Sequence, residues 1–363
     1  MIDKYKNKIV CGDSIEMMKK IPEKSIDLVF ADPPYWMQTT GKLERADGTG
    51  NFSGVNDDWD KFENYKQYDI FTEKWIKEVK RILKDEGSFW VIGAFQNIFR
   101  IANILQKYDF WIINDVVWHK SNATPNFRGT RLKNEVETLL WVTKNKKSKY
   151  TFNYKTMKYL NQNKQLGNVW KIPICSGKER LKDEEGKKIH NTQKPEKLLE
   201  KIILASSKPD DIVLDPFSGT GTTACVAKRL KRNFIGFEKD KKYVKTSKER
   251  LDKVKVSCDD VCMLQKETKP PKVSVEKLIE LNFLNKGQTL YDKKGEKKAI
   301  LNKSGKVLID DQREEISIHK ASAKILNKEN NNGWSFFWVY FNGVFMSIDE
   351  LRYIYARGVK NEE

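Results

Sequence analysis

Residues 211–240 read "DIVLDPFSGTGTTACVAKRLKRNFIGFEKD": an apolar run, a glycine-rich turn, an amphipathic segment and a second apolar run. Short apolar runs bounded by turn residues fit buried strands, and a crossover helix between two of them makes the pair parallel. Parallel strands are buried on both faces, so the rest of the chain must supply more strands and covering helices. Upstream, "KPEKLLEKIILASS" is an amphipathic helix, and "SFWVIGA", "FWIINDVVWHK" and "ETLLWVTKN" read as strands. "YDIFTEKWIKEVKRILKDEG" spaces Ile70, Trp75, Ile76, Val79, Ile82 and Leu83 helically, with Gly87 placed as a C-cap. "NKIVCGD" and "IDLVFADPPY" add strands near the N-terminus, and "KKYVKTSKERLDKV" follows as a basic helix. Strands alternating with helices predict a doubly wound, Rossmann-like α/β domain over residues 1–256. Residues 257–272 lack periodicity and hold Pro270 and Pro271, which predicts a linker. Residues 273–363 then form a small α+β domain.

Charge separates the two parts. The net charge is +18, but residues 257–363 hold 18 Lys and Arg against 16 Asp and Glu, which leaves +16 on residues 1–256. A basic excess confined to one domain suits a polyanionic partner. The apolar runs are too short to cross a bilayer, and no basic-then-apolar leader opens the chain, so a cytoplasmic protein without membrane contact is expected. Five cysteines, of which Cys258 and Cys262 are four apart, and only three histidines, at positions 119, 190 and 319, fit reduced thiols and no metal site.

In the glycine-rich turn, Gly219-Thr220-Gly221-Thr-Thr-Ala224 satisfies G-x-G-x-x-A, and Glu238 stands 19 residues past Gly219, at the end of the next run. An acid there binds ribose hydroxyls. The pattern alone fits NAD, FAD or S-adenosylmethionine, and the missing Gly-Lys-Ser/Thr excludes a kinase-type P-loop. Asp215-Pro216 separates these readings. A pyrophosphate needs the helix N-terminus free of carboxylates; a sulfonium cation welcomes Asp215.

The second chemical motif is Asp32-Pro33-Pro34-Tyr35, which ends the run "IDLVFA". An exocyclic amine on adenine or cytosine is a poor nucleophile, because its lone pair is delocalised into the ring. The Asp32 carboxylate and the Pro33 carbonyl would accept one amine hydrogen each, held rigid by the two prolines. Tyr35 offers a face on which a base can stack. A methyl on a sulfonium would be the electrophile, and transfer would be driven by positioning and electrostatics.

DPPY at 32–35 preceding "DPFSGTG" at 215–221 resembles the β class of amino-methyltransferases. The segments "FADPPYWMQTTGKL", "DDWDKF", "WVIGAFQNIFRI", "PNFRGTR", "YTFNYKTMK", "HNTQKPEKLL" and "SIHKASA…NNNGW" resemble the HinfI-like and cell-cycle-regulated adenine methyltransferases, which modify GANTC in DNA. The resemblance implies catalytic roles for Asp32, Pro33, Pro34 and Tyr35. It implies cofactor contacts from Asp13, Asp32, Thr192, Gln193, Lys194, Asp215, Phe217, Gly219, Thr220 and Gly221, with Glu238 on the ribose. It also implies a target-recognition insertion at about residues 120–190. Double-stranded DNA is the implied partner, a homodimer the implied assembly, and a cognate restriction endonuclease the partner in any restriction–modification pair. Val136 stands in "NEVET" where the family more often has histidine in "NAHET", so no contact is carried over to it.

Reaching an amine inside a duplex requires the base to be flipped out or the strands opened. Trp36, Trp59, Phe127, Arg128 and Arg131 are the candidates to hold the opened site, and Lys144, Lys146, Lys147 and Lys149 suit phosphates or a solvated edge. In "NNNGW", the amides of Asn330, Asn331 and Asn332 and the ring of Trp334 can read and stack on bases. The expected function is S-adenosylmethionine-dependent adenine-N6 methylation of a short duplex site. The alternatives are cytosine-N4 methylation, an NAD-dependent oxidoreductase on the same fold, a non-catalytic DNA-binding regulator and an RNA substrate.

Overall fold

The computed structural model describes residues 2–36, 42–44, 51–53, 61–126, 130–162, 164–190, 192–256, 272–309 and 314–359. The chain divides into two units, 1–265 and 266–363.

In the first unit the chain runs β1 (Lys8–Cys11), α1 (Ser14–Met18), β2 (Ile26–Ala31), a short hairpin of β3 (Lys42–Glu44) and β4 (Asn51–Ser53), and α2 (Tyr65–Ile82). It continues with β5 (Leu83–Gly93), α3 (Ile98–Lys107), β6 (Trp111–Lys120), β7 (Val136–Thr143), α4 (Tyr154–Tyr159) and β8 (Val169–Ile172). The last elements are α5 (Glu196–Ser206), β9 (Ile212–Asp215), α6 (Thr222–Arg229), β10 (Asn233–Glu238) and α7 (Lys241–Asp252). One eight-stranded sheet has the order β1-β10-β9-β2-β5-β7-β6-β8. The first five strands are mutually parallel, β7 runs antiparallel to both β5 and β6, and β8 is parallel to β6. The sheet is therefore mixed.

Strand alternation explains the two covered faces. Leu28, Phe30, Trp90 and Ile92 point into the core built with α4 to α7, whereas Val29, Ala31, Phe89 and Val91 point into the core built with α1 to α3. From β9 the chain crosses by α6 to β10 on one side; from β2 it crosses by α2 to β5 on the other. The carboxyl ends of β9 and β2 thus flank the point where strand order reverses, the crevice in which open α/β sheets bind ligands.

One expectation fails locally. Gly87 is not a helix C-cap: α2 ends at Ile82, Leu83 is extended with ψ 134°, and Gly87 lies inside β5. Leu83 is fully buried and pairs with Ile26, while Lys84 binds Asp27 at 2.6 Å, so burial and cross-strand pairing start the strand before the glycine. A Cβ on Gly87 would stand 2.7 Å from Leu83 Cδ1.

The second unit holds α8 (Val275–Glu280), β11 (Thr289–Tyr291), β12 (Lys297–Leu301), β13 (Val307–Leu308) and α9 (Ile318–Ile325). α10 (Gly333–Phe336), β14 (Trp338–Phe341), β15 (Val344–Ser347) and α11 (Ile348–Val359) complete it. Its antiparallel sheet has the order β13-β12-β11-β14-β15. Leu290, Ala299, Leu301 and Val339 pack with Leu278, Ile318, Ala321 and Leu351 in a separate core. The alternate positions Tyr291, Trp338, Tyr340 and Phe345 form a connected group of rings, with Tyr340 60% exposed. The aromatic run "GWSFFWVYF" begins as a helical turn, because the Asn332 side chain caps α10 by accepting from Trp334 N at 3.1 Å. The region expected as a linker falls outside the described residues except for Lys272.

Candidate active site

A cavity of about 360 Å³ opens where β9 and β2 diverge, and both motifs line it. β9 ends on Asp215, after which the backbone turns through Gly219 (φ +50°) and Gly221 (φ +78°) into α6. Those left-handed angles favour glycine. A Cβ on Gly219 would also meet His190 Nε2 at 3.1 Å. Asp215 is buried and organises the turn: Oδ1 accepts from Phe217 N at 2.9 Å and Oδ2 from Thr223 Oγ1 at 2.5 Å. Burial pushes its carboxyl up to about 7, against the pull of those two hydrogen bonds. Glu238 accepts from Gly219 N and Asp240 N, both at 2.8 Å, and burial raises its pKa. Asp13 caps α1 by accepting from Ile15 N and Glu16 N. Thr220 is buried in the wall, and Phe217 packs edge-on against Trp75 at 5.6 Å. Ser218 Oγ is buried and has no hydrogen-bond partner among the described residues.

The DPPY segment leaves β2 beside this turn. Asp32 Oδ2 accepts from Lys194 Nζ at 2.8 Å, while Oδ1 is buried with no partner among the described residues. The Pro34 carbonyl accepts from Tyr68 Oη at 2.8 Å, and Asn97 Nδ2 approaches both that carbonyl (3.4 Å) and Tyr68 Oη (3.1 Å). No donor among the described residues reaches the Pro33 carbonyl. Asp32 Oδ1 and the carbonyl of the next residue, Pro33, are therefore open to a donor. Tyr35 Oη donates to Glu137 Oε2 at 2.9 Å, and Lys194 Nζ sits 5.0 Å from the centre of the Tyr35 ring. Burial, then Asp32 and Glu137, raise the tyrosine pKa well above its ordinary value, so the ring stays neutral.

His190, Thr192, Gln193 and Lys194 also line the cavity. Thr192 N donates to His190 Nδ1 at 3.1 Å, and burial lowers His190 to about 4, so the imidazole is neutral. Both ends of the Gln193 amide are spent on backbone: Oε1 accepts from Leu181 N, and Nε2 donates to the Glu179 carbonyl. Lys194 is committed to Asp32, with Glu137 Oε2 at 3.8 Å.

The residues proposed for DNA fare differently. Trp36, at φ +51°, packs edge-on against Tyr65 at 4.5 Å and touches Phe62 and Tyr68. Arg131 is exposed over the Phe95 ring at 5.7 Å, and Phe95 is itself exposed. Trp59, Phe127 and Arg128 lie outside the described residues. Asn330 is exposed, Asn331 half-buried, Asn332 caps α10, and Trp334 lies under Arg352 at 4.5 Å.

Sequence reasoning missed Glu137, Lys120, Tyr68 and Asn97. Glu137 carried a signal: an acid in the otherwise apolar strand "VETLLWV". Val136 beside it is 44% exposed, and it is Glu137 that reaches the site.

The cavity holds a carboxylate on either side of a glycine-bearing turn, a serine hydroxyl without a partner among the described residues and no cation in the turn itself, a donor set that fits S-adenosylmethionine. The fold and these residues define an S-adenosylmethionine-dependent methyltransferase. The DNA methylase family model matches residues 26–249, and the model described as Restriction Enzyme Adenine Methylase Associated matches residues 260–361. The chain belongs to the DNA methylase family, and the dinucleotide alternative is set aside. Type II methyltransferase M.HinfI of Haemophilus influenzae is 57% identical over 355 residues, 98% of each chain. M2.LlaDCHI of Lactococcus lactis subsp. cremoris is 40% identical over 247 residues, covering 68% of this chain and 89% of its own. Among solved structures, the M1.HpyAVI–SAM complex aligns with a TM-score of 0.50 at 28% identity, covering 68% of this chain and 98% of its own. The cytosine-N4-specific PvuII DNA methyltransferase aligns at 0.53 with 25% identity, covering 71% and 90%. No helix among the described residues is long and apolar enough to cross a membrane.

Proposed function

We propose that this chain methylates N6 of adenine in double-stranded DNA at GANTC. One observation carries the chemistry: Asp32 Oδ1 and the carbonyl of the next residue, Pro33, have no donor among the described residues, in the same tetrapeptide as the Tyr35 ring. An exocyclic amine has two hydrogens, and placing one on each acceptor pyramidalises the nitrogen, so that its lone pair leaves conjugation with the ring and points at the incoming methyl. Tyr35 stacks on the extruded base, and its neutral hydroxyl, tied to Glu137, keeps the ring in place. S-adenosylmethionine supplies the electrophilic methyl. Asp215, Phe217, Gly219, Thr220 and Gly221 would hold the cofactor on one side, with Asp13, Thr192 and Gln193 around it, and Glu238 has lone pairs left for ribose hydroxyls. Water exclusion by this buried wall strengthens each of these polar contacts.

Adenine is favoured over cytosine by the likeness to M.HinfI over nearly the whole chain and by an acid, not a serine, at position 32. The small C-terminal unit contributes DNA contacts through the Asn330–Trp334 turn, joined by Arg131 and the basic surface of residues 1–256. The assembly is a homodimer and the setting the cytoplasm, where its DNA lies. Incubating a plasmid library with the protein and cofactor, then sequencing modified bases, tests the reading. N6-methyladenine in GANTC is expected; N4-methylcytosine, or no modification of DNA, overturns it.

A further inference from the structure

Four ionisable side chains from four separate segments meet behind the DPPY tetrapeptide. Asp32 follows β2, Lys120 ends β6, Glu137 lies in β7 and Lys194 precedes α5. Their side chains are only 8–17% exposed. Lys194 Nζ lies 2.8 Å from Asp32 Oδ2 and 3.8 Å from Glu137 Oε2; Lys120 Nζ lies 2.7 Å from Glu137 Oε1. Two acids and two bases cancel in charge, as burial demands, because removing one partner would leave an uncompensated buried charge. Of the four carboxylate oxygens, Asp32 Oδ1 is the one without a partner among the described residues.

We propose that Lys194 and Glu137 are positioning residues for methyl transfer: Lys194 clamps Oδ2 of Asp32 so that Oδ1 faces the target amine, and Glu137 anchors both that lysine and the Tyr35 ring. This rests on the reading of Asp32 as the amine's acceptor. A carboxylate held at one oxygen cannot rotate its free oxygen away from the amine, and a ring held at its hydroxyl cannot slide off the base. In the reaction the amine lone pair forms the new C–N bond while the C–S pair stays on sulfur. The nitrogen then carries a surplus proton, which Oδ1 accepts if Asp32 is ionised, and which leaves for solvent with the product.

The charges around Asp32 bear on that condition. Burial pushes its pKa up, Lys194 pulls it down, Glu137 pushes it up again and the Tyr35 hydroxyl lowers it, which leaves it raised on balance. Lys194 itself is lowered by burial but raised on balance by Asp32 and Glu137, so it stays charged; burial raises Glu137, yet Lys194 and Lys120 bring it down on balance. Asp215 also faces Lys194, whereas His190 and Tyr35 are neutral. Removing the lysine and removing the glutamate must therefore move the ionisation of Asp32 in opposite directions. A merely structural pair would not do this.

The test is single-turnover methyl transfer across pH for the wild type, Lys194→Met and Glu137→Gln, with cofactor affinity and melting measured alongside. For Lys194→Met the acid limb of the profile moves to higher pH, and the rate at neutral pH falls on the order of a hundredfold. For Glu137→Gln, nearly isosteric and still able to accept from Tyr35, the limb moves to lower pH. Both keep cofactor affinity within about threefold of wild type. Loss of rate with an unmoved limb in both variants overturns the proposal, as does a Lys194→Met that loses cofactor affinity while its limb stays put. If Lys194→Met does not fold, the Glu137→Gln limb decides: a downward shift supports the proposal and an unmoved limb overturns it. Absence of transfer by the wild type overturns the functional reading and this inference together, whereas transfer with unmoved limbs overturns this inference only.

Discussion

Two aspartates end neighbouring parallel strands at the same crevice, and they are used in different ways. Asp215 closes β9 with both oxygens spent on its own loop, Phe217 N and Thr223 Oγ1, and burial raises it to about 7. Asp32 follows β2 with one oxygen given to a buried lysine and the other given to nothing among the described residues. The first shapes a binding turn and needs no permanent charge to do so. The second must offer an open lone pair, which a buried carboxylate can keep only with a cation beside it. Both strand ends carry Asp-Pro, and it is the partners that set them apart.

The severest test of that contrast is Asp32→Asn. The amide keeps the shape and one acceptor but carries no charge and cannot take the proton. Methyl transfer should fall by about a thousandfold or more, within the range that acid–base and electrostatic groups supply. Cofactor affinity, measured by equilibrium dialysis, should stay near wild type. Comparable loss in both measurements would make Asp32 a binding residue like its neighbour and erase the distinction.

Asp215→Asn should act on binding and on pH. With an acid raised to about 7, the wild type without ligand holds the proton at low pH, and cofactor affinity should climb as pH rises through about 7, where the carboxylate can face a cation. The variant should bind about tenfold more weakly above that pH, with a flatter profile. Stability runs the other way. The folded state binds this proton more tightly than the unfolded chain, whose acid has the ordinary value of 3.8, so the contribution is present at low pH and is lost as pH rises from about 4 to about 7. Melting of the ligand-free wild type should thus fall over that window, and Asp215→Asn should lose part of the slope. An unchanged slope would mean that Asp215 is ionised throughout, as Asp32 must be when it takes a proton.

Much of this contrast was legible in residue order, but not the part that distinguishes the two acids. The run at 211–240 specifies strand, turn, helix and strand through local periodicity, and the glycines mark positive φ because that backbone angle favours glycine. DPPY marks a stiff strand end by the same local logic. Glu137 and Lys120 escape such reasoning, and Lys194, singled out by resemblance as a cofactor contact, is not tied to Asp32 by it: the two strand residues approach Asp32 through sheet order, with β2 reaching β7 only across β5. Strand order depends on which faces bury together over a hundred residues, not on neighbours in the chain. Likewise Gly87 resembles a helix stop until Leu83 is seen pairing with Ile26. Trp36 resembles a free aromatic until Tyr65 is seen against it.

The smallest effect should come from Tyr68→Phe, which probes the tetrapeptide without touching either acid. Tyr68 Oη donates to the Pro34 carbonyl at 2.8 Å from the buried face of α2, and Asn97 Nδ2 supports the same carbonyl at 3.4 Å. Deleting the hydroxyl removes two hydrogen bonds, the one it donates to Pro34 and the one it accepts from Asn97 Nδ2, worth about 1 kcal/mol each, but the Pro34 carbonyl keeps its second, weaker donor. The loop should then hold its conformation less tightly, slowing single-turnover transfer by a few-fold through less frequent alignment of the Pro33 carbonyl with the amine. The charges around Asp32 are untouched, so the acid limb of the pH profile should not move, and cofactor affinity, set at the β9 turn, should not change. A moved limb would show that the tetrapeptide's backbone geometry, rather than the lysine and glutamate behind it, governs the ionisation of Asp32. The two aspartates would then differ by the stiffness of their loops and not by their ionic partners.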